Sequence, residues 1–230
     1  MKYIESIIDR QVRQWELQRQ EKRGTQTLTE ICAPIITISR TPGAEGEEIA
    51  SLLSARTGYH LFDRELIQVI ANDVGVQTRI IEMLDEKARS EYEMWFDGML
   101  RGRIVDNSDY IRSLTRALGA IAKHGNAIIM GRGANIIIGP EHGLHVRITA
   151  SHATWVGRIA ERNNISKDKA EAIVKKIHNE RREFMKRLFG VDLDRAENYD
   201  LTINTDYISD PDAVEIIMLA CLKKKAQLQK

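Results

Sequence analysis

The chain has 230 residues, 43% of them hydrophobic, which is enough for one α/β domain with its own core. Its 34 basic and 33 acidic side chains leave a net charge of +1, which argues against a general nucleic-acid binder but not against a local basic pocket. No apolar run approaches the roughly 18 residues of a membrane span, the N-terminus is too charged for a signal peptide, and Cys32 and Cys221 stand too far apart in sequence to suggest a metal motif. A cytoplasmic protein with reduced cysteines is expected.

Residues 2–22 read as an amphipathic helix, with Ile4, Ile7, Ile8, Val12 and Trp15 at helical spacing. Residues 1–30 are expected to form this helix and a linker, with self-association through the helix. Residues 31–230 are expected to form the main domain. There "PIITIS" is a short β-rich run, "EEIASLLSARTG" a helix stopped by Gly58, and "YHLF" a second strand. A helical insertion follows over about 64–124, placed over the C-terminal edge of the sheet. "NAIIM" and "GLHVRIT" are the third and fourth strands. "SHATWVGRIAERN" and a long segment capped by Ser166 are helices, "DLTIN" is the fifth strand, and 210–227 is a closing helix. Short apolar strands separated by helices predict a parallel sheet covered on both faces.

The first strand runs into Arg40-Thr41-Pro42-Gly43-Ala44-Glu45-Gly46 and then Glu47 and Glu48 at a helix start. Glycines allow close backbone approach, and the helix points free N–H groups and its positive dipole end at the loop. That is an anion site made of main chain; a plain strand-to-helix turn is the alternative. Arg132, between two glycines after the third strand, is a candidate phosphate fork, against a structural ion pair. Arg181 interrupts the apolar stripe Ala170, Ile173, Val174, Ile177, Phe184, Leu188, so it either meets an anion or snorkels from the edge. Asp63, at the end of the second strand, could orient an acceptor or a magnesium-bound water, or simply cap a helix. The fragment "GPEHGLH" lacks metal-ligand spacing.

The segments "ITISR", Gly43 and Gly46 with Ile49-Ala50, "FDRELI", "IIMGRGANII", "ERNNISKDKAEAIVKKIHNERREF" and "YDLTINTDYIS" together resemble the cytidylate kinase-like family, from about Pro34 to Glu215. The resemblance implies an α/β three-layer P-loop nucleotide-kinase fold, with a parallel five-stranded sheet, a helical monophosphate-binding region and an arginine-bearing lid. It implies ATP and Mg²⁺ as cofactors and a nucleoside monophosphate or related small molecule as acceptor. By position, Gly43, Ala44, Glu45, Gly46, Glu47 and Glu48 would form the triphosphate loop. Asp63 and Arg132 would face the acceptor, and Arg158 and Arg181 would belong to the lid. Cytidylate kinases carry Lys where this chain has Glu47, and Asp where it has Gly133. On this reading Glu48 is the metal ligand, Arg40 restores the missing positive charge, and Glu47 points to solvent. The expected activity is ATP-dependent phosphotransfer, with Arg40, Arg158 and Arg181 as the catalytic cations. The alternatives are a nucleotide- or metabolite-sensing module that keeps the fold without turnover, and a structural dimeric partner.

Overall fold

The computed structural model describes Arg13 and residues 35–82, 84, 86–102 and 108–228. The expected N-terminal helix over 2–22, apart from Arg13, lies outside the described residues, as does Cys32.

Five parallel strands form one sheet: β1 (Ile35–Arg40), β2 (His60–Phe62), β3 (Ala127–Met130), β4 (Gly143–Thr149) and β5 (Leu201–Asn204), in the order β2-β3-β1-β4-β5. Their β-branched content suits a pleated surface buried on both sides. Alternation sends Ile36 and Ile38 of β1 to one face and Ile35 to the other.

On the first face lie α1 (Gly46–Thr57) and α9 (Asp210–Leu228). Ile49 and Leu53 of α1 share a cluster with Val214 and Ile217 of α9 and with the sheet residues Ile128, Val146 and Ile148. Gly58, left-handed at φ 70, ends α1 as the sequence predicts. On the other face lie α2 (Arg64–Asn72), α3 (Val74–Glu82), α4 (Glu86–Gly102), α5 (Asp109–His124) and the short α6 (Ala134–Ile138). Ile67, Ile111, Leu118 and Ile137 merge there with Ile35, Phe62 and Ile129 into a single core. The helices between β2 and β3 therefore pack on the sheet's face; at the C-terminal edge only Arg64 of this group lines the crevice described below.

After β4 the chain makes a helical hairpin, α7 (His152–Asn163) and α8 (Lys167–Phe189), capped by Ser151 and Ser166. Val156, Ala160, Ala170 and Val174 form its own small core. The expected stripe on α8 shifts with the helical drift: Ala170, Val174, Met185 and Leu188 are buried, whereas Ile173 is exposed. The three layers expected are present, and no described helix is long and apolar enough to cross a membrane.

Candidate functional site

β1 and β3 are neighbours, yet the chain leaves them toward opposite faces, to α1 and to α6. Such a switch point opens a crevice at the C-terminal ends of the strands. Here a cavity of about 260 Å³ occupies it. Thr37, Ser39 and Arg40 line it from β1, Gly131 to Gly133 from the turn after β3, and Arg64 from α2. Ile177, Glu180, Arg181 and Phe184 close it from α8. Four guanidiniums and one carboxylate give it a strongly positive lining.

The turn that carries Arg132 has positive φ at three successive residues, Gly131, Arg132 and Gly133, the arginine at φ 54. A side chain in that region is held by its surroundings. Arg132 lies over the Phe184 ring at 5.8 Å, and its Nε is buried with no partner. Burial, followed by the charge of Arg64, lowers its pKa, while Tyr110 acts in the opposite sense. Arg64 has no ion-pair partner among the described residues. Asp63 is exposed and caps α2, its Oδ1 accepting from the Leu66 N–H at 2.8 Å; it does not line the cavity. Of the two adjacent residues, Arg64 is the one in the crevice, and the alternation of a strand end gave no means of choosing between them.

The loop Thr41–Gly46 is built differently. Glu45 starts α1 in the left-handed conformation at φ 59 and makes no side-chain capping bond. Glu45 thus caps none of the first-turn N–H groups of α1, although the Glu47 carboxylate takes its own N–H. Gly46 is required by close approach, since a Cβ there would lie 2.7 Å from the Arg40 Cβ. Arg40 runs across the loop, and its Nε donates to Glu47 Oε1 at 2.8 Å with Nη2 at 2.7 Å from the same oxygen. Glu47 therefore does not simply point to solvent: although half exposed, it turns back onto Arg40. Burial pushes its carboxyl up, but the charge and hydrogen bond of Arg40, aided by Arg181, outweigh that and the net shift is downward.

The other two loop glutamates are also engaged. Glu48 Oε1 accepts from Arg162 Nη2 at 2.7 Å, while its Oε2 is buried with no partner. Arg158 Nη1 lies 3.5 Å from Glu45 Oε2. Arg158 also donates to the Gly43 carbonyl at 3.2 Å, to Thr205 Oγ1 at 2.9 Å and to the Thr205 carbonyl at 3.0 Å. It staples the loop to the end of β5. Arg181 Nη1 donates to the Arg40 carbonyl at 2.8 Å, so it is not a snorkelling surface charge. Burial, then the charge of Arg40, lowers its guanidinium to about 10. Arg162, whose exposed helical position gives no sign of it in the sequence, is the cation that pairs with Glu48.

Two polar side chains of β4, Arg147 and His145, are buried. Arg147, 7% exposed in the middle of β4, donates to the Leu193 carbonyl at 2.9 Å and pairs with Asp194, which also receives His178 and Arg182 of α8. A charged residue inside the apolar run "GLHVRIT" was the available signal. His145 Nε2 faces the Gly139 carbonyl at 2.8 Å, an acceptor, so that nitrogen carries the proton and Nδ1 accepts from Thr37 Oγ1 at 2.8 Å.

For a magnesium ion the fit is through one ligand. No group of three or more His, Cys, Asp or Glu side chains among the described residues could hold a metal. Mg²⁺ typically takes one or two carboxylates and fills its shell from phosphates and water. The free Oε2 of Glu48 suits that role once Arg162 moves aside.

A profile of the "Cytidylate kinase-like family" matches residues 35–207. A cytidylate kinase of Thermoplasma acidophilum is 29% identical over 89 residues, which is 38% of this chain and 47% of that protein, about half its length. Among solved structures, an uncharacterized protein from Eubacterium ventriosum superposes with a TM-score of 0.57 at 17% identity, over 82% of this chain and 98% of that one.

Proposed function

The chain belongs to the cytidylate kinase-like family, and from that premise we propose that it is a phosphotransferase moving the γ-phosphoryl group of ATP to a small phosphorylated acceptor. A nucleoside monophosphate of the cytidylate type is the first candidate. The supporting observation is the pairing of two adjoining anion sites. One is the first turn of α1, which Glu45 leaves uncapped, with N–H groups directed at the loop. The other is the crevice, where Arg132 and Arg64 have no carboxylate partner among the described residues. A guanidinium presented that way is a ready fork for a phosphate.

Phosphoryl transfer needs positioning and neutralisation of charge rather than a covalent nucleophile. Arg132 and Arg64 would hold the acceptor phosphate. Arg40, at the wall between the two sites, would face the group in transit once it leaves Glu47, and Arg181 would brace it from the lid. Glu48 would be the protein ligand of Mg²⁺, which when bound neutralises phosphate oxygens.

The test is a thermal-shift panel of nucleoside mono- and triphosphates with and without Mg²⁺, joined to an ADP-release assay. Occupancy at a hundred times Kd stabilises by about 2.7 kcal/mol, which is roughly 5–10 °C for a chain of this size. A monophosphate and Mg·ATP should each produce such a shift, and together should release ADP. A panel without shifts and without ADP overturns the proposal. A second reading, a sensor without turnover, is favoured by the internal pairing of all three loop glutamates; it predicts shifts without ADP.

A further inference from the structure

The lid rests on the phosphate loop through the loop's own carboxylates. Arg162 of α7 donates to Glu48, and Arg158, from the same helix, faces Glu45. Trp155 packs its main chain against Gly43 so closely that a Cβ there would lie 2.9 Å away. Asp210 adds to the negative charge at this corner: burial, followed by Glu45 and Glu48, raises its carboxyl. Carboxylate and phosphate can each offer two oxygens to the guanidinium fork and so compete for it. We propose that Glu45 and Glu48 are built-in counter-ions that hold Arg158 and Arg162 on the loop, and that a polyphosphate enters by taking both guanidiniums from them.

This exchange makes the two glutamates determinants of ligand selection. To capture both arginines a ligand must replace the Glu48 carboxylate on Arg162 and, on Arg158, the Glu45 carboxylate together with the hydrogen bonds to Gly43 and Thr205. A chain of linked phosphates can do so, whereas a single orthophosphate reaches one arginine and leaves the other on its glutamate. The Arg162–Glu48 pair is the one suited to release first. Arg162 and Glu48 are 48% and 40% exposed, and an exposed pair of this kind is worth up to about fivefold in an equilibrium. The inference rests on the phosphate-loop reading above only for the identity of the ligand; the latch itself is a property of the free protein.

Hydrogen exchange over residues 152–189 of the full chain, with no nucleotide present, reads the latch directly. Glu48→Gln and Arg162→Gln should each speed exchange there by about threefold to fivefold, with the amides of β1 and β4 unchanged. The charge-swapped pair Glu48→Arg with Arg162→Glu should return exchange toward wild type. In EDTA, Glu48→Gln should bind inorganic tripolyphosphate about fivefold more tightly and lose part of its preference over orthophosphate. Lid exchange that is identical in wild type and both variants overturns the proposal, as does weaker tripolyphosphate binding by Glu48→Gln in EDTA. Should a variant not fold, wild type decides: raising NaCl from 0.05 to 1 M must speed lid exchange, and unchanged exchange sinks the latch. A lid freed in Glu48→Gln in a protein that neither binds nor turns over any nucleotide would keep the latch and reject the kinase reading.

Discussion

The turn after β1 and the turn after β3 sit side by side, both glycine-rich and both carrying arginine, yet their electrostatics are opposite. On the β1 side every loop glutamate has a guanidinium: Glu47 has Arg40, Glu45 has Arg158 and Glu48 has Arg162. On the β3 side Arg132 meets a ring and an unfilled space, with Arg64 beside it. Residue type does not set the role of an arginine; what faces it does. A paired guanidinium contributes to the shape of the free protein. An unpaired one in a concave site leaves its attraction for a ligand. The same contrast accounts for the missing lysine, since an additional cation in the first turn would stand beside Arg40 and Arg181.

The sharpest way to break the comparison is to wedge the paired side open. Gly43 has φ 70, and a Cβ would meet the Trp155 main chain at 2.9 Å, where no flexible side chain can yield. The left-handed conformation costs about 1–2 kcal/mol for a residue with a Cβ, and overpacking a further 1–3 kcal/mol. Gly43→Ala should lower stability by about 3 kcal/mol, read as a fall of roughly 6–12 °C in Tm. A melting curve within 2 °C of wild type would mean that the loop and lid do not pack as described.

The unpaired side should fail in the opposite manner. Asparagine tolerates positive φ, so Arg132→Asn fits the turn while removing the guanidinium. Its free-protein stability should fall by no more than about 1 kcal/mol, the worth of its contact with the Phe184 ring. Binding of a monophosphate should weaken by tenfold to a hundredfold, the range for a lost hydrogen bond to a charged group of about 1.5–3 kcal/mol. Titration calorimetry with CMP distinguishes this from a structural arginine, whose loss would lower Tm and leave affinity alone.

How much of this contrast is legible in the sequence follows from distance along the chain. The strands, the Ser166 cap and the Gly58 stop are local, and they lie where their residues predict. The helix α6 does not: "ANIII" continues an apolar run after β3, and only the left-handed Gly133 turns it into a helix. Of the crevice cations, Arg40, Arg64 and Arg132 are legible as types at strand ends and Arg181 as a break in an apolar helical stripe. The ion-pair partners are not, because Arg158 with Glu45 and Arg162 with Glu48 join residues more than a hundred positions apart. Arg40 with Glu47 is seven apart, across a turn whose direction depends on Gly46. A lone sequence shows that charges exist; only the fold assigns them to one another.

Reversing one charge should separate stability from binding on the paired side. Glu47→Lys removes the partner of Arg40 and places a second cation beside it and near Arg181. With Glu47 52% exposed and Arg40 at 12%, the lost pair costs less than about 1 kcal/mol. The unfolding free energy from urea denaturation should fall by at least the worth of that pair, since the new cation also repels Arg40 and Arg181, while calorimetry with Mg·ATP should show tighter binding. If stability and affinity both fall, Arg40 needs Glu47 in the bound state too, and the paired side is purely structural.

The smallest expected effect is the acid titration of that same pair. Arg40, helped by Arg181, holds the folded Glu47 carboxyl below its ordinary value of 4.5 despite its burial. Above pH 4.5 the group is ionised in both the folded and unfolded chain, and the pair contributes in full. As the pH falls through the window beneath 4.5, the unfolded chain takes up a proton that the folded chain still refuses, so unfolding gains. The contribution is gone once the pH has passed the folded value as well. Glu47→Gln has no proton to gain, so its stability should decline less steeply across that window than that of wild type. Exposure of the carboxylate keeps the difference to a fraction of a kcal/mol. Urea midpoints taken from pH 7 down to pH 3 should start with wild type above the variant and converge as the carboxylate is protonated. A gap that stays constant to pH 3 would show that Glu47 contributes by shape and not by charge. Of the three pairs on this side, the charge contribution would then rest on Arg158 with Glu45 and Arg162 with Glu48.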